Sequence, residues 1–109
     1  MDMRALVLAI AMMAAGSAGA APGKCLLVVD GRTYINGPCR ISLSPGGSFQ
    51  VLSAGRLTYF ANVKLTGDTQ ADGFWNEDMG ANHAHTPLGS LQRNDACWSN
   101  PKAIVCAWR

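Results

Sequence analysis

Four cysteines, Cys25, Cys39, Cys97 and Cys106, constrain this chain more than any other feature, because each consecutive pair brackets a turn signal. Between the first two stands Asp30-Gly31, a dipeptide of tight hairpins, and between the last two stands Asn100-Pro101. The closing stretch carries two apolar runs, each with one cysteine and one tryptophan (Cys97 and Trp98, Cys106 and Trp108), and a hairpin centred on Pro101 and Lys102 sets the cysteines opposite each other. An even count in a short chain reads as two disulfides. Three pairings are open, and Cys25–Cys39 with Cys97–Cys106 is favoured because each bond then crosses its own hairpin. Loops this short stabilise by about 2.5 to 3 kcal/mol each on the chain-entropy account. A three-residue loop at 31–33 would place Cys25 directly opposite Cys39, so the favoured pairing predicts a bulged turn there.

The first twenty residues differ in kind from the rest. An apolar run at 5–15 followed by small residues at Ala18 and Ala20 is the pattern of a cleaved signal peptide. Cleavage is expected after Ala20, giving a leader at 1–20 and a single β domain at 21–109. A retained anchor is the competing reading, but the run falls short of the roughly 20 apolar residues of a span and its second half is mostly alanine and glycine. The expectation is therefore a periplasmic or secreted domain with no membrane attachment once the leader is gone. A domain of this size buries only about 60 to 65% of its unfolded surface, so the disulfides carry a large share of its stability.

Period-two patterning dominates the remainder. Strands are expected at 25–29 and 33–35, with Asn36-Gly37-Pro38 as a break, then at 40–43 and 48–52 around the turn Ser44-Pro45-Gly46-Gly47. Leu57, Tyr59, Ala61, Val63 and Leu65 alternate strictly, which predicts the longest strand at 57–65. Residues 71–76 hold a short strand at best, 77–87 show no apolar period, and structure resumes at Leu88 before the closing hairpin. No window after the leader has a helical period. The expected fold class is all-β, a small disulfide-stabilised barrel or sandwich of about seven or eight short antiparallel strands.

The residues Asp30-Gly31, Tyr34-Ile35, Gly37-Pro38-Cys39, Gly47-Ser48-Phe49, Tyr59-Phe60-Ala61, Trp75-Asn76, His83-Ala84-His85-Thr86, Leu88-Gly89, Ala96-Cys97-Trp98 and Cys106-Ala107-Trp108 give the chain a resemblance to a group of small exported bacterial proteins. The resemblance covers nearly all of 21–109. It implies export and size, and it carries over no activity and no functional residue. The small periplasmic inhibitors of lysozyme are a looser likeness, also disulfide-bearing β domains. Their short Ser-Gly and Tyr-bearing inhibitory motifs have no residue-by-residue match here.

The formal charge is +2, and the basic residues are scattered singly, without the stripe that nucleic-acid binding requires. The segment richest in chemistry is Trp75-Asn76-Glu77-Asp78-Met79-Gly80-Ala81-Asn82-His83-Ala84-His85-Thr86. Both histidines stand there two apart, so an extended backbone points both imidazoles to one side. With a carboxylate from Asp78, Glu77 or Asp72 they would make a three-ligand site for zinc or copper; a polar loop whose histidines bond to nearby backbone is the blander alternative. Asp72 and Glu77 are a conceivable carboxylate pair, and no serine sits in a nucleophile elbow. Trp98 and Trp108 are expected to pack against their cystine in the core. Trp75 is expected to be partly exposed, with Asn76, Glu77, Asn82, His83 and His85 around it as a binding surface. The leading functional expectation is an exported, non-enzymatic binding module for an envelope glycan or protein. A metal-binding module using His83 and His85, and an inhibitor of an envelope hydrolase, are the alternatives.

Overall fold

The computed structural model describes residues 20–109, so the expected leader lies outside the described residues. Eight antiparallel strands follow one another: β1 (Ala21–Val29), β2 (Arg32–Leu43), β3 (Phe49–Ser53), β4 (Phe60–Leu65), β5 (Gln70–Trp75), β6 (Thr86–Asn94), β7 (Cys97–Ser99) and β8 (Ala103–Trp108). Each pairs with the next, and β8 returns to β1 with Val105 opposite Leu27 and Ala103 opposite Val29, which closes a barrel. Of the two expected architectures the barrel is the one that forms. Closure removes the two free edges that an open sheet would offer to other chains.

Alternation sorts the side chains between lumen and outer wall. Leu27, Ile41, Val51, Val63, Leu91 and Val105 fill the lumen and are buried, while Lys24, Arg40, Lys64, Asp72 and Gln92 stand exposed on the outer wall. A lipid-facing barrel has the reverse order, apolar outside and polar within. Eight strands enclose a space just wide enough for side chains to fill. Gly73 shows how tight the filling is, since a Cβ there would lie 2.7 Å from a methyl of Leu91.

Both favoured disulfides form, Cys25–Cys39 and Cys97–Cys106. The turn beneath the first differs from the expectation. Val29 pairs with Arg32 across a two-residue turn whose Asp30 and Gly31 have φ of 52° and 78°, the signs that the tight hairpin turn requires. The extra residue sits farther along as a bulge: Val28 faces Thr33 and Leu27 faces Ile35, which leaves Tyr34 unpaired. Cys25 consequently lies opposite Gly37 and Cys39 opposite Gly23. The bond still forms because both cysteines point into the lumen as diagonal neighbours, with Cα atoms 5.8 Å apart.

Three strand expectations also change. The break at Asn36-Gly37-Pro38 is absent, and β2 runs through it for 12 residues. Pro38 is tolerated because the β3 ladder begins only at Cys39, so its missing N–H falls at the ladder's end. The strand expected at 57–65 starts at Phe60, because the backbone N–H of Ser53 donates to Tyr59 O and that of Tyr59 to Ser53 Oγ, folding 54–59 into a loop. Leu57 is left outside. Residues Gln70–Trp75 form a full six-residue strand.

Cys97 and Cys106 lie directly opposite, as expected, yet their bond is on the outer wall, since Trp98 and Val105 occupy the inner positions. The expected packing of Trp98 and Trp108 against a core cystine is therefore corrected. Trp98 points into the lumen, and Trp108, 44% exposed, points away from it. β7 is only three residues long, and Asn100 closes the seam above it. Its Nδ2 donates to Leu88 O and Ser90 O, each at 2.9 Å, while its Oδ1 accepts from the backbone N–H groups of Lys102 and Ala103, each at 2.8 Å. One amide thus replaces ladder bonds that a longer β7 would supply.

Candidate functional site

The up-and-down topology gathers four connections at one end of the barrel: the turns at 30–31 and 100–102 and the longer loops at 54–59 and 76–85. Here the lumen is plugged by aromatic rings. Tyr34 and Tyr59 lie 4.6 and 6.0 Å, centroid to centroid, from the indole of Trp75. Trp75 is 3% exposed, which corrects the expectation that it is a partly exposed platform. It ends an inward-facing series, Ala71, Gly73 and Trp75, so strand alternation commits it to the lumen.

Asn76, also expected in the binding surface, is buried as well and holds the two loops together. Its Oδ1 accepts from Phe60 N–H at 2.9 Å, and its Nδ2 donates to Thr58 O at 3.0 Å and Ala81 O at 3.2 Å. Its own N–H donates to Phe60 O, and Gly80 N–H donates to Thr58 O at 3.0 Å. A buried amide with this many partners is a fixed point, because releasing any of them strands a polar group away from water. The loops are therefore one unit.

The outer surface of that unit carries the rest of the expected residues. Glu77, Asp78, Asn82, His83 and His85 are all exposed. Glu77 has a positive φ of 35° and its Oε1 accepts from Thr86 Oγ1 at 3.0 Å, which ties the end of the loop to the start of β6. His83 and His85 do project to one side, as their spacing predicts, with imidazole centroids 5.1 Å apart and planes within 13° of parallel. Lone pairs lie in the ring plane, so parallel rings aim them alongside one another rather than at one point. Among the described residues no group of three or more His, Cys, Asp and Glu side chains converges as a metal site. Asp72 stands on the outer wall between Lys64 and Ser90 rather than on the loop with Glu77.

Two residues that the sequence reading passed over complete the surface. Leu57, 69% exposed, projects from the shorter loop, and Met79, 51% exposed, from the longer. The loops touch here, for a Cβ on Gly80 would sit 3.2 Å from Leu57 Cδ2. Strict alternation at 57–65 hid Leu57 inside an expected strand, and Met79 lies in a stretch without apolar period. Compared with known protein families, curated proteins and solved structures, the chain shows no significant match, so its chemistry rests on its own residues.

Proposed function

We propose that the protein is an exported, non-enzymatic binding module of the cell envelope or extracellular space, and that it recognises a protein partner through the 54–59 and 76–85 loops. The observation that carries this reading is the Asn76 amide, which locks both loops behind the exposed Leu57 and Met79. Presenting apolar anchors on an already ordered surface spares the entropy of ordering loops on binding. A glycan is the other expected partner, and stacking on a sugar needs an exposed ring such as Trp75 was expected to offer. Burial of that ring leaves an aliphatic pair, which suits a protein surface better than a sugar. An envelope hydrolase is one such partner, and holding one without being turned over would make the module its inhibitor. Export rests on the leader pattern at 1–20, and the two disulfides are compatible with an oxidising extracellular or periplasmic location.

The test is affinity capture from envelope extracts with three forms of the protein. Wild type is expected to retain a saturable protein partner, and Leu57→Ser with Met79→Ser to weaken capture roughly ten-fold or more without lowering the melting temperature. Asn76→Ala is expected to weaken capture too and to cost about 2 to 3 kcal/mol, since it leaves buried backbone groups unpaired. Equal capture by all three forms would overturn the proposal.

A further inference from the structure

The two ends of the lumen differ. Opposite the aromatic plug, where β2–β3, β4–β5 and β6–β7 connect, the lumen opens as a cup of about 300 Å³. Its lining is apolar, with Leu43, Phe49, Leu65 and Trp98 facing the space and the rings of Phe49 and Trp98 6.5 Å apart. Leu43 is half exposed, and Phe49 and Leu65 are only partly buried, so the packing that completes the lumen elsewhere stops short here. Barrel mouths are common ligand positions, and this volume lies at the small end of the range of about 300 to 1,000 Å³.

The rim carries Arg93, Arg109 and Asp95. Two guanidinium side chains stand there beside one carboxylate side chain. Arg93 is held in place: its guanidinium lies 5.9 Å from the centre of the Trp98 ring, and its Nε donates to the backbone O of Asp95 at 3.1 Å. That bond uses one of its five donors and leaves the Nη groups to face a ligand. Among the described residues the one ion pair is Lys102 with Asp30, at the other end of the barrel.

We infer that this cup binds a small amphiphilic monoanion, an alkyl or aryl carboxylate. The apolar part lies against Phe49, Leu65 and Trp98, and the carboxylate meets Arg93 and Arg109. A guanidinium suits the head group because its planar fork matches a carboxylate with two parallel hydrogen bonds. A neutral molecule of the same shape forfeits that contact. The inference is independent of the loop surface, and the Leu57 and Met79 substitutions leave it unaffected.

Decanoate, below the concentration at which it forms micelles, is the probe, with decanol as its neutral counterpart, and the indole N–H of Trp98 is followed by NMR. Decanoate is expected to shift that resonance saturably and to bind roughly ten-fold or more tighter than decanol. Arg93→Gln and Arg109→Gln are each expected to lose most of that preference. Arg109 follows the last residue of β8, so its substitution leaves the ladder untouched and keeps the test clear of any folding defect in the Arg93 variant. Leu65→Trp, which fills the cup, should abolish binding of both probes. An unmoved Trp98 resonance, equal affinity for the two probes, or a preference that survives both arginine substitutions would overturn the inference.

Discussion

Trp75→Ala is expected to destabilise the protein by about 3 to 5 kcal/mol, the range for removing a large buried aromatic side chain. The indole is enclosed by Tyr34 and Tyr59 and sits where β5 leaves the wall, so its loss opens the plugged end of the lumen. Collapse into the gap is limited, because Tyr34 is the bulged residue of β2 and Tyr59 is held through Ser53 Oγ. Trp75→Phe keeps a ring between the two tyrosines and also removes an Nε1–H that has no acceptor among the described residues. That substitution should cost less than about 1.5 kcal/mol. Urea unfolding of both variants checks the pair, and an alanine variant within about 1 kcal/mol of wild type would mean that the aromatic plug does not hold this end together.

Removing the two disulfides should not be equivalent. Cys25→Ala with Cys39→Ala releases a loop of sequence separation 14, worth about 3 kcal/mol on the chain-entropy account. It also deletes two buried sulfur atoms from the lumen, because Cys25 and Cys39 are 1% and 4% exposed. The total expected is about 4 kcal/mol or more. Cys97→Ala with Cys106→Ala opens a shorter loop, of separation 9, and its bond lies on the outer wall, where Cys106 is covered but Cys97 is only partly buried. About 3 kcal/mol is expected there, with the β7–β8 ladder and the Asn100 clasp still in place. Net stability for a domain of this size is about 5 to 10 kcal/mol, so the first double variant should be close to unfolding at 37 °C and the second should not. Equal losses, or a larger loss for the outer bond, would contradict the assignment of the two cystines to opposite faces.

The barrel was legible because period-two patterning and turn residues act locally. Ile41 opposite Val51 and Leu43 opposite Phe49 follow directly from alternation around Ser44-Pro45-Gly46-Gly47, and Cys97 opposite Cys106 follows from the turn at Pro101 and Lys102. Barrel and sandwich use the same strands, and only the long-range pairing of β1 with β8 separates them. The faces of individual strands were harder to read. Trp98 and Cys97 are adjacent, and nothing local says which of them turns inward; the lumen's demand for volume favours the indole.

The candidate site was legible in part for the same reason. The segment 76–85 was singled out by its polar composition, and the shared direction of His83 and His85 followed from their spacing. Trp75 was misplaced because its polar neighbours suggested solvent, whereas strand parity had already assigned it to the lumen. Asn76 reads in sequence like any loop amide. Its role depends on Thr58 and Phe60, which lie 18 and 16 residues away, and no local pattern reports that contact. The cup at the opposite end combines residues from six of the eight strands and left no sequence signal.

The central claim, recognition by the locked loop end, is tested most directly by photo-crosslinking in cells. A photoreactive side chain replaces Met79 in one form of the protein and Lys64, on the outer wall, in another. The account predicts a discrete crosslinked protein from position 79 that is absent from position 64. No crosslinked species from position 79, or the same species from both positions, would contradict it.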